Sequence, residues 1–231
     1  MAVTLYKVDD RLPEDVTLAI VIAGEPVTGT SGQRHAGFVV KANDQSLWLF
    51  DLAWHNLCRK GPIAPNYAYV ITEFIDQFSA NAIIAFLANV YQANKDKFTY
   101  SIGWDDKGEY FEKGTGKPLK TGLGEGLTCA TFVLEALKRY GFEILKADTW
   151  PITEENKEWQ TKILNKLIET RPDSIDDFMV QFQQIGNVPR FKPEEAIGAA
   201  SYFEEEPLPF DVVAPAADEV VGELVRLGLD G

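Results

Sequence analysis

Cysteine and histidine are scarce in this chain. There are two of each: Cys58, Cys129, His35 and His55. Cys129 lies in Leu127-Thr-Cys-Ala-Thr-Phe-Val-Leu-Glu-Ala-Leu-Lys-Arg-Tyr140, behind a glycine-rich lead at 122–126 and ahead of Gly141. Thr128 suits an N-cap and Gly141 a helix-ending position. Phe132, Val133, Ala136, Leu137 and Tyr140 recur at the spacing of one helix face, and Cys129 falls on that face in the first turn. A thiol there feels the positive end of the helix dipole, which favours the thiolate. The segment therefore offers an activated sulfur at the start of a buried helix, with its own backbone N–H able to donate to an oxyanion.

A sulfur of this kind needs a base. His35 opens an apolar run, 35–41, and 47–53 forms a second, with turn residues at 43–45 between them. The two read as an antiparallel hairpin. A turn centred near Asp44 sets His35 near Ala53. Side chains alternate across a strand, so Asp51 and His55 share the face of His35, each a diagonal step away. Either could orient the ring. Cys129, His35 and one of these two make a nucleophile, base and orienter.

The segments His-Ala-Gly-Phe-Val-Val at 35–40 and Thr-Cys-Ala-Thr-Phe-Val at 128–133 resemble the NlpC/P60 superfamily of papain-like cysteine hydrolases. Ordinary members place the cysteine helix before the histidine strand. The order here is reversed, as in the circularly permuted branch that includes the lecithin:retinol acyltransferase-like proteins. The resemblance spans roughly residues 16–142. It implies Cys129 as nucleophile and His35 as base. The family's third residue is usually a second histidine about a dozen residues on, where this chain has Leu47. Asp51 fits that role by register, and His55 is the alternative. The resemblance also implies hydrolysis of amide bonds, or action on thioesters and acyl esters.

The rest of the chain must position these residues. The run 16–23 reads as a buried strand and 67–72 as a short one. Residues 24–32 read as a loop, 79–93 as a helix and 98–102 as extended. Residues 103–126 form a long glycine-rich loop suited to a lid or substrate wall. Helices are expected at 153–170, 172–182, 193–203 and 215–229. The expected architecture is α+β: a papain-like antiparallel sheet packed on the nucleophile helix, with extra C-terminal helices. Residues 1–150 would form the catalytic domain and 151–203 a helical extension. Residues 204–231 would supply an acidic, proline-containing linker and a last amphipathic helix.

Composition narrows the function. The formal charge of −13 argues against nucleic acid, which needs a basic stripe. No apolar run approaches the roughly 18 residues of a membrane helix. The N-terminal residues lack a signal-peptide pattern, so a cytoplasmic protein is expected, with machine-dependent export compatible. Cys58 and Cys129 are then expected to be reduced. The reading is a cysteine peptidase or amidase working through an acyl-enzyme thioester, with a peptide-like or acyl substrate and no metal or organic cofactor needed. A protein partner could use the acidic surface or the C-terminal segment. Three alternatives stand beside it. One is acyl transfer or thioester hydrolysis, with Tyr100, Trp104, Tyr110 and Phe111 lining an apolar groove. Another is a non-catalytic binding module. The last is a structural zinc site of His35, His55, Cys58 and Cys129, although such sites usually pair neighbouring ligands at both ends.

Overall fold

The hairpin at the centre of the chain organises a six-stranded antiparallel sheet. The computed structural model describes residues 2–9, 12–25 and 33–230. Its strands are β1 (Tyr6–Lys7), β2 (Leu18–Ala23), β3 (Ala36–Lys41), β4 (Leu47–Trp54), β5 (Leu57–Pro62) and β6 (Tyr67–Val70), in the order β1-β6-β2-β3-β4-β5. Six α-helices follow: α1 (Gln77–Asn94), α2 (Cys129–Lys138), α3 (Glu154–Thr170), α4 (Ile175–Met179), α5 (Pro193–Tyr202) and α6 (Phe210–Arg226). The chain is thus α+β. Of the loop expected at 24–32, residues 26–32 lie outside the described residues.

The register of β3 against β4 follows from the turn. Phe38 faces Phe50 and Val40 faces Trp48. Alternation then divides the sheet between two apolar clusters. Ile20, Ile22, Ala36, Phe38, Val40, Phe50 and Leu52 enter the large core, which α1, α2, α5 and α6 complete. Ala19, Val21, Val39, Leu49, Tyr67 and Tyr69 form a smaller cluster on the other parity. β2 is buried along its whole length, which accounts for its continuous apolar run.

β1 and β5 are edge strands that pattern alone does not signal. β5 carries Arg59, Lys60 and Pro62 and has only Cys58 buried. Charge and proline on an edge discourage pairing with another chain, and they also hide the strand from an apolar-pattern reading. The turn into β5 places Asn56 at φ 55°, a left-handed conformation that asparagine tolerates. A register irregularity between Leu52 and Trp54 breaks the strict alternation of β4 just before His55.

The helical half differs from its expected bounds in two places. The 172–182 segment is a 3-10 turn, the short α4 and a second 3-10 turn. Val180, whose β-branched side chain has low helix propensity, begins the second 3-10 turn. The last helix begins at Phe210 and runs through Pro215. Pro215 lies in the second turn, where it has no N–H to donate to the Asp211 carbonyl. α6 buries Val213, Ala216, Val220 and Leu224 in the large core, while Val225 is exposed. At its end Asp230 pairs with Arg34 at 2.6 Å, and Arg34 Nε also donates to the Gly24 carbonyl at 3.0 Å. No helix among the described residues is long and apolar enough to cross a membrane.

Candidate active site

Cys129 is the first residue of α2, and the local sequence builds that start in two ways. Thr128 caps the helix: its hydroxyl accepts from the Thr131 N–H at 3.2 Å, and Thr131 Oγ1 accepts from the Thr128 N–H at 2.8 Å. This reciprocal box satisfies two N–H groups that a helix start otherwise leaves open. In the lead, Gly126 passes against the Thr99 backbone where a Cβ would collide, and Gly124 takes φ +74°. Leu127 then bridges to Tyr100, bringing residues 99–101 alongside the helix start. Every residue of α2 from Cys129 to Leu137 is buried.

His35 immediately precedes β3. Its Nε2 lies 2.6 Å from Asp51 Oδ2. Asp51 is opposite Gly37 by extension of the observed register, so the two side chains share a face one diagonal step apart, as expected. Gly37 is required here: an added Cβ would meet the Phe50 carbonyl oxygen at 2.8 Å and Asp51 Cβ at 2.9 Å. The ring's other nitrogen is left for the Cys129 sulfur, and the two groups interact strongly enough that each shifts the titration of the other.

Asp51 is fully buried and opposes Arg59 across β4 and β5. Arg59 grips it with both ends of the guanidinium: Nε to Oδ1 at 3.0 Å and Nη2 to Oδ2. The order of contacts is therefore Cys129, His35, Asp51, Arg59. Arg59 was missed because its strand was missed; the available signal was the left-handed Asn56 turn, which lays residue 59 beside residue 51.

The electrostatics agree with a thiolate–imidazolium pair. Burial would lower the His35 pKa, but the Cys129 charge and the Asp51 hydrogen bond outweigh it and raise it to about 10. Burial would raise the Cys129 pKa, but the facing imidazolium brings it below that of an ordinary thiol. Asp51 stays ionised despite burial, held below the usual carboxylate range first by His35 and then by Arg59. Cys58 has the opposite environment. Burial, and then the Asp51 charge, push its thiol up to about 12.

Two further residues reach the sulfur's surroundings. Gln33 Nε2 approaches Cys129 Sγ at 3.6 Å and the Tyr100 hydroxyl at 3.2 Å. Gln33 shares strand parity with His35, two residues upstream, and that spacing was its only sequence signal. Tyr100 was expected to line a groove together with Trp104, Tyr110 and Phe111. It is the member of that set placed near the sulfur. Phe111 stacks on Phe98 in the large core, and Trp104 packs on Phe191.

The structure does not bring His55 to this cluster. The β4 irregularity sends it to the other side of Trp54, where it is fully buried with its ring edge-on to Phe178 at 4.7 Å. Its Nδ1 accepts from the Tyr100 N–H at 3.3 Å, and its Nε2 faces Asp177 at 3.9 Å. Burial lowers its pKa, so it is a neutral ring holding the backbone of Tyr100. The four residues of the zinc alternative do not converge. Among the described residues no group of three His, Cys, Asp or Glu is placed to hold a metal ion.

In comparisons with protein-family models, curated proteins and solved structures, nothing matches the chain.

Proposed function

We propose that this protein is a cysteine hydrolase, a peptidase or amidase built as a permuted, papain-like relative of the NlpC/P60 superfamily. The observation that carries this reading is the contact chain from Cys129 through His35 and Asp51 to Arg59. It sets a lowered thiol pKa beside a raised imidazole pKa in one buried cluster.

The chemistry follows from those groups. The Cys129 thiolate attacks the substrate carbonyl carbon, forming a C–S bond and an oxyanion. The Cys129 N–H at the helix start and the Gln33 carboxamide are the donors placed to receive that oxyanion. The imidazolium of His35 then gives its proton to the departing amine as the C–N bond breaks, leaving an acyl-thioester. Water adds to the thioester carbonyl, and neutral His35 takes its proton. The C–S bond breaks, the acid departs, and the thiolate–imidazolium pair is restored. Asp51 keeps the ring oriented and stabilises its charged form, and Arg59 keeps Asp51 ionised. An ester or thioester donor would use the same steps with a different leaving group.

The test is an activity-based thiol probe with mass mapping at pH 6–7, on the wild type and on His35→Ala. The expected result is labelling at Cys129, faster than a free thiol and sharply slowed in the variant. Labelling at Cys58 instead, or a Cys129 rate no greater than that of a free thiol and indifferent to His35→Ala, would refute the hydrolase and leave the binding-module reading.

A further inference from the structure

Arg190 is buried to 8 % exposure in the segment that leads into α5, yet its guanidinium makes no hydrogen bond to a described residue. It lies over the Trp159 ring, 4.2 Å from the centroid. Its side chain keeps 8 % of its surface open to solvent, so its donors are not sealed in. The carboxylates around it favour its charge without hydrogen-bonding it. Glu155 reaches only 4.0 Å and is committed to Lys192 at 2.9 Å. Glu195 Oε2 is taken by the Lys192 N–H and by Trp150 Nε1. Glu194 acts on it through charge without a hydrogen bond.

Other donors in the same cluster lack acceptors. Trp159 packs with Tyr100, and its buried Nε1–H has no partner among the described residues. The Tyr100 oxygen accepts from Gln33, which leaves its own hydrogen free to donate. Tyr100 is close enough to both Cys129 and Arg190 that each charge perturbs its hydroxyl. Two side-chain steps, Gln33 and Tyr100, thus join the sulfur to a group of donors in which Arg190 has no hydrogen-bond acceptor among the described residues and the buried Trp159 Nε1–H has no partner there. Donors in this state can take an acceptor from outside.

We propose that Arg190, stacked on Trp159 in the cluster that holds Tyr100, is a specificity-determining subsite that receives a carboxylate of the substrate beside the scissile bond. The planar guanidinium matches a carboxylate bidentately, and the indole beneath it fixes its plane. The subsite comes from the helical half, outside residues 16–142. The proposal rests on Cys129 being the nucleophile.

The experiment compares alkylation of Cys129 by matched reagents, N-iodoacetylglycine and N-iodoacetylglycinamide, with N-iodoacetyl-β-alanine and its amide as a longer pair. Mass mapping assigns the label. In the wild type the carboxylate reagent is expected to react faster than its amide in at least one pair. In Arg190→Gln that ratio should fall about tenfold to a hundredfold, the effect of losing a charge-assisted hydrogen-bond pair. Arg190→Lys should fall between, since it keeps the charge without the planar fork. A ratio unchanged in both variants overturns the subsite while leaving the nucleophile intact. Failure of every reagent to label Cys129 overturns the hydrolase reading, and the subsite with it. Should the variants not fold, the wild type still decides. N-acetylglycine should protect Cys129 from iodoacetamide saturably. Equal protection by N-acetylglycinamide, or by sodium chloride at the same ionic strength, overturns the proposal.

Discussion

Replacing Asp51 by asparagine keeps the shape of the side chain and removes its charge. Asp51 is fully buried and receives His35 Nε2 and both ends of Arg59. An asparagine can accept with one oxygen only, and its NH₂ then points at a donor. Breaking a buried ion pair by removing one partner costs about 3–5 kcal/mol. The Arg59 side chain is 44 % exposed and can rehydrate, so the expected loss is about 2–4 kcal/mol near neutral pH. For a chain of this size that corresponds to a Tm lowered by about 5–15 °C.

The pH dependence has a definite sign. The His35 pKa is raised from 6.5 to about 10 in the folded state, so its stabilisation is complete below pH 6.5 and is lost as pH rises through 10. The Asp51 pKa is lowered from 3.8, so its stabilisation is present above that pH and is lost as pH falls through the lower folded value. The gap between wild type and Asp51→Asn should therefore be widest between these ranges and should close toward both extremes. Urea unfolding followed by circular dichroism across pH measures it.

The same variant should weaken the thiolate. A charge-assisted hydrogen bond favouring the imidazolium is worth about 1.5–3 kcal/mol, or roughly ten- to a hundredfold in thiolate population. The asparagine oxygen still accepts one bond, so the lower end applies. The acid limb of the Cys129 alkylation profile should shift toward that of an ordinary thiol, with a rate loss of about tenfold at pH 6. A wild-type pH profile in Asp51→Asn, with the variant folded, would refute the role of Asp51 in holding the pair.

Three other substitutions probe the supports. Gly37→Ala forces a methyl group between Asp51 and the Phe50 carbonyl; it should cost about 1–3 kcal/mol and slow Cys129 labelling, measured by thermal unfolding and probe kinetics. Thr128→Ala removes one arm of the capping box at the start of α2 and should cost about 1 kcal/mol in urea titration. His55→Gln loses the ring packed on Phe178 and should lower the Tm, while the pH profile of Cys129 alkylation keeps its shape; a shifted acid limb would return His55 to the dyad.

The legible parts of the molecule were those governed by local rules. The hairpin register could be read because the Asn43–Gln45 turn leaves little freedom between two apolar runs, and the register placed Asp51 beside His35. The helix that begins at Cys129 announced itself through Thr128, its apolar spacing and Gly141, which takes φ +90° at the helix end. What escaped depended on contacts between distant segments or on breaks in periodicity. His55 satisfied the alternation rule on paper, but the β4 irregularity carried it to Phe178. β5 was masked by the charges that make it a safe edge, and Arg59 with it. Arg190 carries no pattern; only burial over Trp159 separates it from a surface arginine.

The pairing of Arg34 with Asp230 spans 196 residues, and the approach of Gln33 to Cys129 spans 96. Arg34 is the residue next to His35, so His35 is anchored to a residue that follows α6. Contacts of such separation require large loops to close before they are rewarded, which slows folding. During synthesis, α2 and its thiol emerge well before the segment that braces the histidine strand. A growing chain on the ribosome would therefore carry Cys129 before Asp230 is there to pair with Arg34.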